Sequence, residues 1–392
     1  MRRVATAERP DWREHAARAG FHFHSFDHSF DGAPYWDESA YYAFSLAEIE
    51  EDIEEPTRDL HALCLAFVAR AVEDEAILAS LAIPEHAFDA IRASWRRGDP
   101  ALYGRLDLSY GGAGTGPAKL LEYNADTPTA LYESAVFQWL WLEDGLARGR
   151  LPAGSDQYNA LHERLVARLA EIGGSGRLTF ASFADAPEDR GTVAYLQDCA
   201  LQAGLAAPFL PVEAIGLKSD GWFVDEAGHP IETLFKLYPW EWIFADPFGR
   251  AVAAAPTRFL EPPWKAVLSN KGMLAHLWAM APGHPNLLPA FFEDDPAKAA
   301  LGDSFVKKPL YAREGANVLV VREGAVAARV EGPYGAEGFV RQGLAALPRF
   351  DGRHALIGSW IVGNEPAGLC LREGDGPITT DRARFVPHVI DP

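Results

Sequence analysis

The chain has 392 residues, 48% hydrophobic and 23% charged, which is the composition of a soluble globular protein with a large core and more than one folding unit. Its 55 acidic against 36 basic side chains leave a net charge of −19, a surface that repels nucleic acid and anionic lipid and accommodates a cationic ligand. No apolar run reaches the ~18 residues of a membrane span and no apolar stretch follows the basic N-terminus, so a cytoplasmic protein is expected, with neither nucleic acid nor membrane as partner. The opening stretch, to about residue 40, mixes Pro, Gly and aromatics without a sustained period. It holds His22, His24 and His28, but no further His or Cys follows at ligand spacing, so these read as core or surface histidines. Cys64, Cys199 and Cys370 are too few and too scattered for a disulfide framework or zinc site and read as small core residues. From 46 to 71 the apolar positions Leu46, Ile49, Ile53, Leu60, Leu63, Phe67 and Val68 follow a helical stripe, which Pro56 is expected to divide into two helices.

A helix is predicted over 84–95 and another over 130–146, whose Phe137, Trp139 and Trp141 read as core. Between them, RLDLSYGGAGTGPAKLLEYN (105–124) reads as two strand arms joined by a Gly-rich bend, 111–117. Alternation puts Arg105, Asp107 and Ser109 on one face of the first arm and Leu106, Leu108 and Tyr110 on the other. On the second arm Glu122 and Asn124 fall together, with Lys119, Leu121 and Tyr123 opposite. One surface then carries a guanidinium, two carboxylates and an amide, a set suited to a hard cation on an anionic ligand. Beyond 151 a helix over 158–172, a strand over 178–183, the helix GTVAYLQDCALQAG and a strand over 207–210 give β–α–β spacing and hence a small parallel sheet. A hairpin turning at Asp220-Gly221, the strand-to-helix segment FKLYPWEWI and the prolines 256, 262 and 263 follow. The remainder is β-rich, with FVKKPLY, NVLVVRE, AVAARVEG, GFVRQ, HALIGSWIVG and EPAGLCLRE as arms and one helix after Asn270.

Three further polar clusters stand out. In SNKGMLAHLW, Ser269 or Asn270 can cap a helix, and Lys271 is expected in its first turn, a poor place for a cation unless an anion binds there; an exposed, solvated lysine is the other reading. In VKKPLYAREGANV, Lys307 and Lys308 lie on opposite faces of a strand, so at most one points inward, and the glycine-containing turn 312–317 follows; this suits a triphosphate clamp and lid, or an ordinary charged hairpin. In GPYGAEGFVRQ, Gln342 is a candidate edge contact for an adenine, or simply a polar residue closing a surface strand. GGAGTGP lacks the strand-before, helix-after context of a dinucleotide fingerprint, and neither a P-loop nor a Ser or Cys nucleophile motif is present.

Taken together, RLDLSY, KLLEYNADTPTALYESA, FKLYPWEW, PPWKAVLSNKGMLAHLW, VKKPLYAREGANV and GPYGAEGFVRQ resemble the glutathionylspermidine synthase family, in the family's order and from ERPDWRE to PHVI. The resemblance implies an α+β / α/β, ATP-grasp-type ligase fold with a small parallel-sheet subdomain. It spreads this over a helical part with a metal-binding hairpin (1–150), a small α/β substrate subdomain (151–255) and a β-rich ATP-binding part (256–392). It further implies joining of a carboxylate to an amine with ATP and magnesium through an acyl phosphate. Both substrates would be small molecules, the acid a peptide or amino acid and the amine a polyamine. Nothing resembles the amidase part of the two-domain members.

Carried over by motif, Asp107, Glu122 and Asn124 match the magnesium ligands and Arg105 the arginine beside the reacting carboxylate. Thr127 falls at the peptide-substrate contact. Lys271 and Lys308 match the ATP-phosphate lysines, which selects Lys308 over Lys307, and Arg313 matches the lid-loop arginine. The stretch around Gln342 matches the adenine hinge, and Arg372 a further active-site arginine. Glu188 and Asp189 lie near the acidic polyamine contacts, although they also begin a helix, where acids are favoured anyway. Leu237 departs from the pattern: it stands where a hydroxyl is expected to bind glutathione, so the acid is left open. A non-catalytic ATP- or polyamine-binding protein and a small-molecule kinase are the alternatives, and the oligomeric state is left open.

Overall fold

The computed structural model describes residues 1–25 and 34–392, so His28 lies outside the described residues. An antiparallel sheet forms the centre, in the spatial order Arg384–Val386, Glu365–Gly374, Arg353–Val362, Tyr103–Ser109 and Lys119–Asn124, with Arg349–Phe350 paired to Arg353–Val362. Its two long strands are buried along most of their length, because both faces are covered. Leu106, Leu108 and Leu120 pack with Leu60, Cys64, Phe67 and Val68 of the helix Glu55–Ala71 in one core. Tyr103, Trp360 and Cys370 belong to a second core with Trp36, Phe137 and Leu165. All three cysteines are buried and free, as core residues.

Thr179–Ser182, the helix Pro187–Gln202 and Phe209–Pro211 form the expected β–α–β unit, and Thr233–Lys236 and Arg258–Leu260 extend it to four parallel strands. The chain adds Phe209–Pro211 on one side of Thr179–Ser182 and the later strands on the other, so the winding reverses between Thr179–Ser182 and Thr233–Lys236. In open α/β sheets, ligands bind at the carboxyl ends of the strands beside such a reversal. A third sheet is antiparallel, in the order Ala290–Phe292, Phe339–Gly343, Phe305–Pro309, Leu319–Arg322 and Ala325–Arg329. Near the termini Arg2–Ala5, Ala40–Phe44 and His388–Ile390 pair in a small sheet. The stretches 1–150, 151–255 and 256–392 therefore do not each keep a sheet of their own. The hairpin of the first joins strands after 349, and Arg258–Leu260 joins the sheet of the second.

Three local expectations are corrected. Pro56 does not divide its helix, since a π-helical Glu48–Glu54 runs directly into Glu55–Ala71 and Pro56 sits in the first α-helical turn, where its missing N–H is tolerated. Trp139 is 38% exposed, whereas Phe137 and Trp141 are core, because positions four apart share a helix face and the residue midway between them points to the opposite one. The helix Met273–Met280 starts only after Gly272, whose N–H is bonded to the Asn270 side chain at 2.8 Å, so Lys271 precedes the helix instead of lying in its first turn. Among the described residues no helix is long and apolar enough to cross a membrane.

Candidate active site

The hairpin puts Arg105 opposite Asn124 and Asp107 opposite Glu122, and the register then slips so that Leu108 faces Leu120. The residue left over is Leu121. Such a bulge re-aims side chains, and it overturns the simple alternation of the second arm: Leu120 enters the core while Leu121 joins Glu122 on a cavity wall. Arg105 grips Asp107 with two bonds, Nε to Oδ1 at 2.7 Å and Nη2 to Oδ2 at 3.2 Å. Its Nη1 donates to the Thr129 carbonyl at 2.6 Å, and the guanidinium lies 5.5 Å from the Trp360 ring centroid. Gly358, across the strand from Asp107, makes room for it: a Cβ there would come within 2.6 Å of the Arg105 Cδ. Asn124 Nδ2 donates to Asp107 Oδ2 at 3.1 Å, which leaves its amide oxygen available.

Two lysines face this hairpin from the third sheet's side. Lys271 Nζ lies 3.0 Å from Glu122 Oε2 and donates to the Ala312 carbonyl at 2.9 Å. Lys308 Nζ donates to the Leu121 carbonyl and to Gln342 Oε1, both at 2.8 Å, and Gln342 Nε2 donates in turn to the Leu120 carbonyl at 2.8 Å. The bulge thus supplies an acceptor to Lys308, and the Gln342 side chain orients that lysine. Lys307 points away, toward Glu293 and the face of Phe339. Burial would push the Glu122 carboxyl up, but Lys271 and Lys308 override it and hold the group at about 2. Burial lowers Lys308 to about 8 against the opposing pull of Glu122. Asp107 is raised by burial even beside Arg105.

A cavity of 520 Å³ lies between the hairpin and the third sheet, lined by Asp107, Leu121, Glu122, Lys271, Lys308, Gln342 and the backbone that follows it. A second, of 300 Å³, lies toward the parallel sheet and is lined by Arg105, Asn124, Thr127, Glu188, Asp189, Leu237, Arg313 and Arg372. Asp107 and Glu122 wall both cavities, as do Ala312, Glu314 and Gly315 of the loop after Lys308. Every site residue singled out from the sequence lines one cavity or the other, and the acid pair is where they meet. Arg313 is turned across the second cavity, with Nη1 3.1 Å from Thr127 Oγ1, Nη2 3.3 Å from Glu241 Oε1, and its guanidinium over Trp242. Glu314 and Gly315 both have positive φ, and a Cβ on Gly315 would come within 2.8 Å of the Thr379 carbonyl, so this loop is pressed against the Ile378–Thr379 backbone. Arg372 donates to the Thr380 and Ala383 carbonyls at 3.1 and 3.3 Å. Burial, then the neighbouring Glu188, raises the Asp189 carboxyl to about 6.

Sequence reasoning missed Glu314, Phe183 and Trp242, which also line the second cavity. It also missed two buried ion pairs that bolt the hairpin's roots to the parallel sheet. Asp126 pairs with Lys236 and accepts from the Trp240 N–H at 2.8 Å. Glu261 pairs with Lys265 at 2.7 Å and accepts from the N–H groups of Leu102 and Tyr103, each at 3.0 Å. The usable signal was a lone lysine inside an apolar strand end, FKLYPW, which has to find a carboxylate. His24 bonds to Ser25 Oγ at 2.8 Å and packs on Trp12, as a structural histidine does. Among the described residues no group of three or more His, Cys, Asp and Glu side chains could hold a metal. Asp107 and Glu122 supply two carboxylates, one ionised far below neutral pH, and Asn124 an amide oxygen; this hard, oxygen-only set fits magnesium bound jointly with phosphate and would be incomplete as an all-protein cage.

The family described as "Glutathionylspermidine synthase preATP-grasp" matches residues 3–391. The chain belongs to this family. It is an acid–amine ligase by family, of the ATP-dependent carbon–nitrogen ligases, and its mixed α/β architecture is of the ATP-grasp type. It is 41% identical over 397 residues to the "Putative acid--amine ligase" of Haemophilus influenzae, with 98% of each chain covered. It is 28% identical to the "Trypanothione synthetase" of Crithidia fasciculata, covering 82% of this chain and 52% of that one. The "Bifunctional glutathionylspermidine synthetase/amidase" of Escherichia coli is 24% identical, with 89% of this chain and 59% of that one covered. The chain therefore spans little more than half of these last two relatives.

Proposed function

We propose that the protein joins the carboxylate of a small acid to an amine in an ATP- and magnesium-dependent reaction that passes through an acyl phosphate. The observation that carries this reading is the junction of two cavities at Asp107 and Glu122, with Lys271 and Lys308 walling one and Arg105, Arg313 and Arg372 the other. The larger cavity offers a nucleotide the Lys271 and Lys308 ammonium groups for its phosphates and backbone beyond Gln342 for its base. Asp107, Glu122 and Asn124 would hold magnesium, which supplies neutralisation of phosphate charge.

In the smaller cavity Arg105, already oriented by Asp107, the Thr129 carbonyl and Trp360, faces the place where an acid's carboxylate would meet the terminal phosphate. Arg313 and Arg372 add positive charge around the transferring group, and preorganised charge of this kind dominates phosphoryl-transfer catalysis. The carboxylate oxygen attacks the γ-phosphorus and ADP leaves; the amine nitrogen then attacks the acyl carbon and phosphate leaves with the transferred oxygen. Glu188 and Asp189 attract the ammonium form of the amine, and Asp189, raised to about 6, can accept a proton as the nitrogen becomes a nucleophile. No protein nucleophile is required, in keeping with three buried, uncharged thiols. The acid is a peptide or amino acid, and Leu237 on the cavity wall removes a hydroxyl that glutathione would use.

An oxygen-label experiment tests the mechanism. A mixture of acids carrying ¹⁸O in their carboxylates is incubated with amines, ATP and magnesium, and released phosphate is read by phosphorus NMR. One labelled oxygen per phosphate, with an amide product of matching mass, is expected. Amide formation without label in phosphate would exclude the acyl phosphate, and a stable phosphorylated product without amide would make the protein a kinase.

A further inference from the structure

A third cavity, of 410 Å³, lies at the carboxyl ends of the parallel strands, beside the reversal of winding. Phe183, which directly follows Thr179–Ser182, walls both this chamber and the smaller substrate cavity. Its ring meets Tyr238, on the chamber side, at 5.3 Å and Trp242, on the cavity side, at 6.3 Å, and those two rings meet each other at 5.5 Å. An aromatic partition of three rings thus divides the crevice that this topology reserves for ligands.

The chamber's lining is chemically one-sided. Ile215, Phe223, Leu234, Ile243 and Phe259 make it apolar, and Phe248 stands 41% exposed beside them. Among the described residues Lys236 is its single basic lining residue, and that charge is consumed by the buried pair with Asp126. Glu213 and Asp246, both exposed, are its acidic residues; Asp246 Oδ1 accepts from the Phe248 N–H at 2.8 Å, and among the described residues neither carboxylate is in an ion pair. An apolar, aromatic chamber with unpaired carboxylates and no free cation selects an ammonium group on an aliphatic or aromatic stem over an acid of the same shape.

We propose that this chamber is a second binding site on the substrate side, which takes the far end of the amine: an ammonium carried on an apolar stem that passes the Phe183 partition. The identity of the ligand as the amine substrate rests on the acid–amine ligase reading; the preference for a stemmed cation rests on the chamber alone.

Binding is measured on the full chain without ATP, by calorimetry and by Trp242 fluorescence, with butylamine, hexylamine, hexamethylenediamine and hexanoate as probes. Affinity is expected to rise about fourfold per added methylene as the stem is buried. A Glu213→Gln/Asp246→Asn variant, altered only at exposed positions, should lose about tenfold for the amines through the missing charges. Phe183→Leu should flatten the dependence on stem length, and Glu188→Gln/Asp189→Asn should leave that dependence intact. Hexanoate binding as tightly as hexylamine, or a stem-length dependence untouched in both the Glu213/Asp246 and Phe183 variants, would overturn the proposal. Stem-dependent binding by a protein that ligates none of these amines leaves the chamber standing and removes the ligase reading. Ligation whose KM ignores stem length, with no binding to the chamber, does the reverse.

Discussion

Lys308 offers a quantitative test of the proposed phosphate site, because burial has brought its ammonium group to about 8. At about pH 7 some nine-tenths of the ligand-free protein carries the charge, and at about pH 9 roughly one-tenth does. A bound polyphosphate needs the charged form, so ATP binding should draw in about 0.1 proton per site near pH 7, about 0.5 near pH 8 and about 0.9 near pH 9. ATP affinity should fall about tenfold across the same range, following the charged fraction. The sign for stability is opposite. The folded pKa lies below the 10.5 of an ordinary lysine, so between about 8 and that value the unfolded chain holds a proton the folded chain has released. Ligand-free stability from this group therefore rises with pH through that window, by up to about 3 kcal/mol. Calorimetry in buffers of different ionisation enthalpy reads the proton uptake, and denaturant titration reads the stability. Lys308→Met should abolish both pH dependences, and subtracting its curves removes the titration of ATP itself. Uptake that stays flat from about pH 7 to about pH 9, or that survives in Lys308→Met, would refute Lys308 as the buried phosphate contact.

Arg313→Lys should lower kcat by about 10²-fold with ATP affinity nearly unchanged, because a lysine cannot span Thr127 and Glu241 while facing the transferring group; equal losses in binding and turnover would make the arginine a simple anchor. Leu237→Thr places a hydroxyl in a wall that is now apolar, so acids with a matching polar group should gain relative to the others by about tenfold or more in kcat/KM, and an unchanged ranking would remove Leu237 from the acid site. Glu373→Gln removes the charge that holds Arg3 at 2.7 Å and meets the Tyr42 hydroxyl at 2.6 Å, both largely buried. It should cost about 3 kcal/mol in urea unfolding, and a loss under about 0.5 kcal/mol would show that the N-terminal strand is held by its sheet pairing alone.

Much of the site was readable because strand alternation and motif order are local properties. Arg105 and Asp107, like Glu122 and Asn124, share a face by being two residues apart; the same rule put Lys307 and Lys308 on opposite faces, and the family motif then selected Lys308. What alternation could not foresee was the bulge at Leu121, since a register slip depends on the partner strand and leaves no composition signal of its own. The π turns at Glu48–Glu54 and Glu133–Phe137 were hidden for a related reason, since neither carries a breaker residue; Trp139, by contrast, was readable, because a residue midway between Phe137 and Trp141 falls on the opposite helix face. The interleaving of sheets was also invisible, because pairing between Tyr103–Ser109 and Arg353–Val362 joins segments some 250 positions apart, beyond any periodicity argument.

The bulge nevertheless explains why the two cavities meet where they do. By turning both Leu121 and Glu122 toward the cleft, it brings a backbone carbonyl to Lys308 and a carboxylate to Lys271 from adjacent residues. Glu122 then serves three partners: the two lysines hold it ionised at about 2, and in register it faces Asp107, whose other side belongs to Arg105. Along this line two carboxylates, Asp107 and Glu122, sit side by side between Arg105 at one end and the lysines at the other. In the proposed reaction a polyphosphate and a carboxylate would approach this acid pair from opposite cavities, and a cation between the two acids would keep the anions from meeting carboxylates head-on. On the proposed reading, a metal between the two acids would then be a condition for both substrates to be accepted together. Glu122→Gln should accordingly weaken ATP binding far more with magnesium present than without it, and equal loss in both conditions would place the metal elsewhere.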